Sequence, residues 1–169
     1  SCSAASASIL PLLASGTFTH NSAPLMCFDK NAHYSMNHLK AACADETEVT
    51  TCPHNDMNYL EDLCKKHQRV AYIADGVYSM GGVANIEAIQ YLKDRYNMFI
   101  YIDDSHSLSA TGKQGTGHIR SNLKELDNNS IIVASLAKSF GASGGVVMFG
   151  NSEHKQKTLR YASPSNLSQ

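Results

Sequence analysis

Apolar positions along this chain fall into short continuous runs, and between them lie stretches in which apolar residues recur at helical spacing. Pro24–Phe28, Glu48–Cys52, Val70–Ala74, Phe99–Ile102, Ile131–Ala134 and Val146–Phe149 read as strands. Ser1–Leu13 reads as a helix in spite of Pro11, and His33–Ala44 as another. Asn55 or Asp56 can cap a helix running to Lys66, with Tyr59, Leu60, Leu63 and Cys64 on one face. Asn85 can cap Ile86–Tyr96, where Ile86, Ile89, Leu92 and Tyr96 share a face. Ser152–Tyr161 reads as a final helix. Buried strands alternating with amphipathic helices predict an α/β fold: a mostly parallel sheet with helices on both faces.

The chain has 169 residues, enough for one domain with a hydrophobic core. Its net charge of -1 argues against a nucleic-acid surface. No apolar run approaches the length of a membrane span. Five cysteines, odd in number and without CxxC spacing, argue against a disulfide scaffold or zinc site and suggest a reducing, cytoplasmic setting. A natural chain rarely starts inside an element, so the helix at the first residues suggests a fragment.

In parallel sheets ligands sit beyond the carboxyl ends of the strands. Asp29 and His33 follow the first predicted strand, and Asp75 through Gly82 follow the third. Asp103-Asp104-Ser105-His106 follow the fourth, and Ser135-Leu136-Ala137-Lys138 the fifth. Acids, histidines, hydroxyls and one lysine thus converge on one edge. Lys138 precedes a run of small residues, Ser139 to Gly145, and is expected to be poorly solvated, which favours a nucleophilic neutral amine; a surface lysine in a Gly/Ser loop is the alternative. Asp103 can pair with a protonated pyridine nitrogen, the arrangement that pyridoxal 5′-phosphate (PLP) needs as an electron sink, or be a loop acid, as Asp104 can be. His106 can bond a phenolic oxygen or be an ordinary loop histidine. Ser135 can donate to a phosphate and Ser79 to a ring oxygen, or both can be turn formers. His33 can stack on a flat ring or simply face water.

Four motifs then align in order. Asp75-Gly76-Val77-Tyr78-Ser79-Met80-Gly81-Gly82 resembles E-G-V-F-S-M-D-G, and Tyr101 to His106 resembles V-D-D-A-H. Gly112 to Gly117 resembles G-x-x-G-x-G, and Ser135 to Gly141 resembles T-x-x-K-x-x-G. Together they resemble the α-oxoamine synthases, fold-type I PLP-dependent transferases that include 8-amino-7-oxononanoate synthase, 5-aminolevulinate synthase, serine palmitoyltransferase and autoinducer synthases. The resemblance implies that Lys138 carries PLP as a Schiff base and that Asp103 pairs with the ring nitrogen. It also implies His106 and Ser79 near the phenolic oxygen, Ser135 on the phosphate and His33 stacked on the ring. A phosphate loop, usually S-G-x-x-A-N, would fall on Ser1-Cys2-Ser3-Ala4-Ala5-Ser6, with Cys2 for the glycine and Ser6 for the asparagine; backbone N–H groups at Cys2 and Ser3 would hold the phosphate. Residues 1–169 would be the large domain, without the N-terminal arm and the C-terminal small domain. The implied assembly is a homodimer, with Ser163 offered to the neighbouring phosphate.

The implied activity is condensation of an amino acid with an acyl-CoA or similar thioester, with decarboxylation to an α-amino ketone. An aminotransferase or lyase of the same fold is the alternative, and a non-catalytic remnant is a further one. Ser135-Leu136-Ala137-Lys138 also fits the S-x-x-K of penicillin-binding proteins, but the companion K-T-G is missing, since Leu159 follows Lys157-Thr158.

Overall fold

The computed structural model describes residues 1–162. Among them the strands are β1 (Leu25–Asp29), β2 (Val49–Cys52), β3 (Val70–Asp75), β4 (Phe99–Asp103), β5 (Ser130–Ser135) and β6 (Gly145–Phe149). The helices are α1 (Cys2–Ala14), α2 (Tyr34–Asn37), α3 (Lys40–Ala44), α4 (Met57–Lys66), α5 (Ile86–Tyr96), α6 (His118–Asn122) and α7 (Ser152–Tyr161). The strands form one sheet in the order β2-β1-β3-β4-β5-β6. All neighbours are parallel except β5 and β6. The mostly parallel sheet expected from the sequence is therefore present, and β1 lies between β2 and β3, a reversal of strand order of the kind that opens a ligand crevice.

Strand residues alternate between two cores. Cys27, Tyr72, Ala74, Ile100 and Ile102 face α4 and α5, where Leu60, Ile86, Ile89 and Leu92 cover them. Met26, Phe28, Ile73, Tyr101 and Val133 face the other way, under Ile9, Leu10 and Leu13 of α1 and Met36 and Cys43 of α2 and α3. Being covered on both faces is why these strands read as continuous apolar runs rather than as alternation.

Local chemistry sets the ends. Asp56 accepts from Tyr59 N–H at 2.9 Å and Asn85 from Ala88 N–H at 3.2 Å, as N-caps do. Asn97 closes α5 in the left-handed region at φ 56°. Pro11 is carried inside α1 because the carbonyl it strips of a donor belongs to exposed Ala7. The single helix expected over 33–44 is divided: Leu39 N–H bonds back three residues to Met36 O at 3.0 Å, and this tight turn re-aims the chain into α3. α6 and the 3₁₀ turn at Lys113–Gly115 give no apolar period and were not expected.

Candidate functional site

Three neighbouring strands end on an aspartate. Asp29, Asp75 and Asp103 close β1, β3 and β4, and they are 0%, 2% and 4% exposed. Parallel register puts Asp75 directly beside Asp103. A buried carboxylate needs donors, and each finds them in the loops that follow the strands.

Asp103 is held from two sides. Its Oδ1 accepts from the backbone N–H of Ser105 at 3.0 Å and from the Ser105 hydroxyl at 2.5 Å. Its Oδ2 accepts from the Cys2 thiol at 3.0 Å. Ser105 Oγ in turn accepts from Ser135 N–H at 2.7 Å, which ties the end of β5 to the end of β4. Asp75 Oδ2 accepts from His33 N–H at 2.7 Å. Burial, and next the Asp103 charge, push the Asp75 carboxyl up to about 7.

Lys138 stands in the exposed loop between β5 and β6, pinned at its base by Leu136 N–H to Gly144 O and Ala142 N–H to Leu136 O, both 3.2 Å. Its Nζ lies 2.7 Å from His106 Nε2, and Ser139 Oγ donates to Leu108 O at 2.8 Å, holding the two loops together. Desolvation, then the Lys138 charge, lower the His106 pKa, so the neutral imidazole is the form that accepts from the ammonium. Lys138 is exposed, which corrects the expectation of a poorly solvated amine: the small residues around it leave it open to water.

His33 caps α2. Its Nδ1 accepts from Ser35 N–H at 3.2 Å and meets Ser35 Oγ at 2.9 Å, while the residue itself remains exposed. The His33 and Asp103 charges both act on His106, and that of Lys138 acts on Asp75. The structure thus brings Lys138, His106, Asp103, Asp75, His33 and Cys2 into one electrostatic neighbourhood. Ser135 belongs to it through its backbone, while its Oγ accepts from Ala137 N–H at 3.2 Å. Ser79 and Ser3 are exposed and make no side-chain hydrogen bond among the described residues. Ser163 lies outside the described residues.

Two acids that the sequence places at strand ends without a specific role, Asp29 and Asp104, are held in networks of their own. Asp29 accepts from Asn31 and Asn55 N–H, His54 Nδ1 and Tyr72 Oη at 2.8–2.9 Å. Burial alone would raise its pKa, but these donors outweigh it and lower it. Asp104, fully buried, accepts from Ile119 N–H at 3.1 Å and fills the space left by Gly76 and Gly117, where a Cβ would collide with its carboxylate. The second glycine-rich motif therefore makes room for an acid. The signal for the Asp29 network was the repeated aspartate at strand ends.

Six mostly parallel strands covered by helices on both faces define the class: the fold is that of the PLP-dependent transferases. The chain belongs to the class I and II aminotransferase family, whose model matches residues 17–169. It is 36% identical over 124 residues to the 8-amino-7-oxononanoate synthase of Hydrogenovibrio crunogenus, across 70% of this chain and 31% of that protein. It is 33% identical over 128 residues to serine palmitoyltransferase 2 of Caenorhabditis elegans, across 66% of this chain and 22% of that protein. The chain thus spans a third or less of both relatives. The solved serine palmitoyltransferase of S. paucimobilis with a bound PLP–myriocin aldimine superposes with a TM-score of 0.80 at 18% identity, covering 98% of this chain and 40% of that one. Among the described residues no helix is long and apolar enough to cross a membrane.

Proposed function

We propose that this chain is the cofactor-holding large domain of a PLP-dependent acyltransferase that condenses an amino acid with an acyl-CoA or similar thioester, releasing CO2 and an α-amino ketone. The observation that carries the reading is the Lys138–His106 contact of 2.7 Å, set beside a buried Asp103. The relatives point the same way: a palmitoyltransferase and a synthase of an amino-oxo acid carry acyl-transfer names rather than amino-transfer names.

The residues fit the cofactor chemically. Lys138 offers an exposed amine to carry its aldehyde, and Asp103 a buried carboxyl group for its ring nitrogen. The N-terminus of α1 offers the first backbone N–H groups, at Cys2 and Ser3, to its phosphate. When bound, PLP supplies the electron sink that stabilises negative charge at the amino acid's Cα.

This chain's side chains do the rest. Lys138, once released, takes the proton at Cα as general base. In the cofactor-free protein His106 lies 2.7 Å from the Lys138 amine, so the two can exchange a proton whenever Lys138 is free. Asp103 is held in place by the donors Ser105 and Cys2. His33, exposed at the N-terminus of α2, would cover the flat cofactor. Ser79 and His106 serve the phenolic oxygen, and Ser135, next to α1, the phosphate.

The working form is a homodimer, isologous dimers being the commonest oligomers, and the compartment is the cytoplasm. Five buried, unpaired cysteines support a reducing setting. Mixing the full enzyme with amino acid and acyl-CoA tests the reaction: free thiol and CO2 should appear together. Amino-group transfer to a keto acid without thiol release would replace the proposal with an aminotransferase.

A further inference from the structure

The S-G-x-x-A-N pattern would place glycine at position 2, where this chain has cysteine. A glycine there could not reach β4. Cys2 does: its Sγ lies 3.0 Å from Asp103 Oδ2, and the side chain is 7% exposed. One turn on, Ser6 Oγ accepts from Tyr101 Oη at 3.0 Å. Cys2 and Ser6 are four helical residues apart, about 6 Å, and Asp103 and Tyr101 two strand residues apart, about 6.6 Å. The matching spacings lock α1 in register on β4, with the thiol aimed at the carboxylate.

A carboxylate offers about four acceptor positions. Asp103 Oδ1 takes two donors from Ser105, and Oδ2 takes the thiol. One position is left, on Oδ2. Resting on the PLP reading above, we propose that Cys2 is a positioning residue: its thiol fixes the Asp103 carboxylate from α1 so that a single acceptor direction remains for the cofactor's ring nitrogen.

The thiol suits this task because it stays protonated. Burial, and next the Asp103 charge, push it up to about 12, so it acts as a donor at any working pH. Asp103 and Cys2 therefore restrain one another: the thiol orients the carboxylate, and the carboxylate holds the thiol's proton.

The test has two readouts. The first uses cofactor-free protein and mapped alkylation of its cysteines by iodoacetamide at mildly alkaline pH. Asp103→Asn should raise the Cys2 rate relative to Cys43, which is also buried and whose thiol is raised by burial alone, by about fivefold or more. Asp75→Asn, which removes the neighbouring carboxylate that makes no bond to the thiol, should leave that ratio within about twofold. An unchanged ratio in Asp103→Asn, or an equal rise in Asp75→Asn, overturns the proposal. The second readout is PLP affinity: Cys2→Ala should weaken it about three- to tenfold, and Cys2→Ser, which restores a donor, should return it to within about twofold of wild type. Equal losses in both variants overturn the positioning role. If wild type itself takes up no PLP, the reading of the site fails, while the alkylation ratio still decides the Cys2–Asp103 link.

Discussion

Asp75 and Asp103 are register partners at the ends of β3 and β4, two buried carboxyls side by side, and the Lys138 charge acts on Asp75. Two adjacent anions in a buried place are costly, and the burden falls on Asp75. Burial and the charges of Asp103 and Asp29 raise its pKa, while His33 N–H and the Lys138 charge oppose the rise. Of the two, Asp75 holds its proton to about pH 7.

That arrangement has a pH signature. An unfolded aspartate loses its proton near pH 4, whereas folded Asp75 keeps it to about 7. Between those values the folded state binds more protons, so this group's contribution to stability is full below the lower value and lost as pH rises through the upper one. Asp75→Asn keeps an acceptor for His33 N–H and removes the slope. Urea denaturation of cofactor-free protein should show the variant gaining on wild type as pH rises from about 4 to about 7.5, by at most about 4 kcal/mol. A difference that does not change with pH would contradict the Asp75 assignment.

Gly117 sits at φ 92° against the Asp104 carboxylate. Gly117→Ala should cost roughly 2 kcal/mol or more, from left-handed strain plus the collision with a buried acid. Chemical denaturation measures this, and a cost under about 0.5 kcal/mol would mean that Asp104 can move aside.

The central strands β1, β3, β4 and β5 were legible because they are short and buried on both faces, and the caps Asp56 and Asn85 were legible as residue types at the right offset. Lys138, Asp103, His106 and His33 were legible because each follows a strand. The break at His38–Leu39 was not: it is a change of hydrogen-bond pitch within a segment whose composition reads as helical throughout. The Asp29 network was not, since His54, Asn55 and Tyr72 lie 25 to 43 residues away and only pairing of strands brings them in. Cys2 was read as part of a phosphate loop by its place in the motif, while its side chain turns instead to Asp103.

Asp103→Asn in the full enzyme should retain some PLP and lose about a hundredfold or more in turnover, because an amide cannot keep the ring nitrogen protonated. Steady-state kinetics decides it, and near-normal turnover would remove Asp103 from its role.

A homodimer predicts PLP affinity that rises with protein concentration in the dissociating range. Light scattering and cofactor titration on the same samples check this. A monomer that binds PLP tightly would contradict it.

The most direct measurement is chemical. Protein is incubated with PLP, reduced with borohydride, digested and mapped by mass spectrometry. One pyridoxyl label is expected, on Lys138, the lysine whose Nζ meets His106 at 2.7 Å. A label on Lys113 instead, or none on Lys138 at saturating PLP, would contradict it.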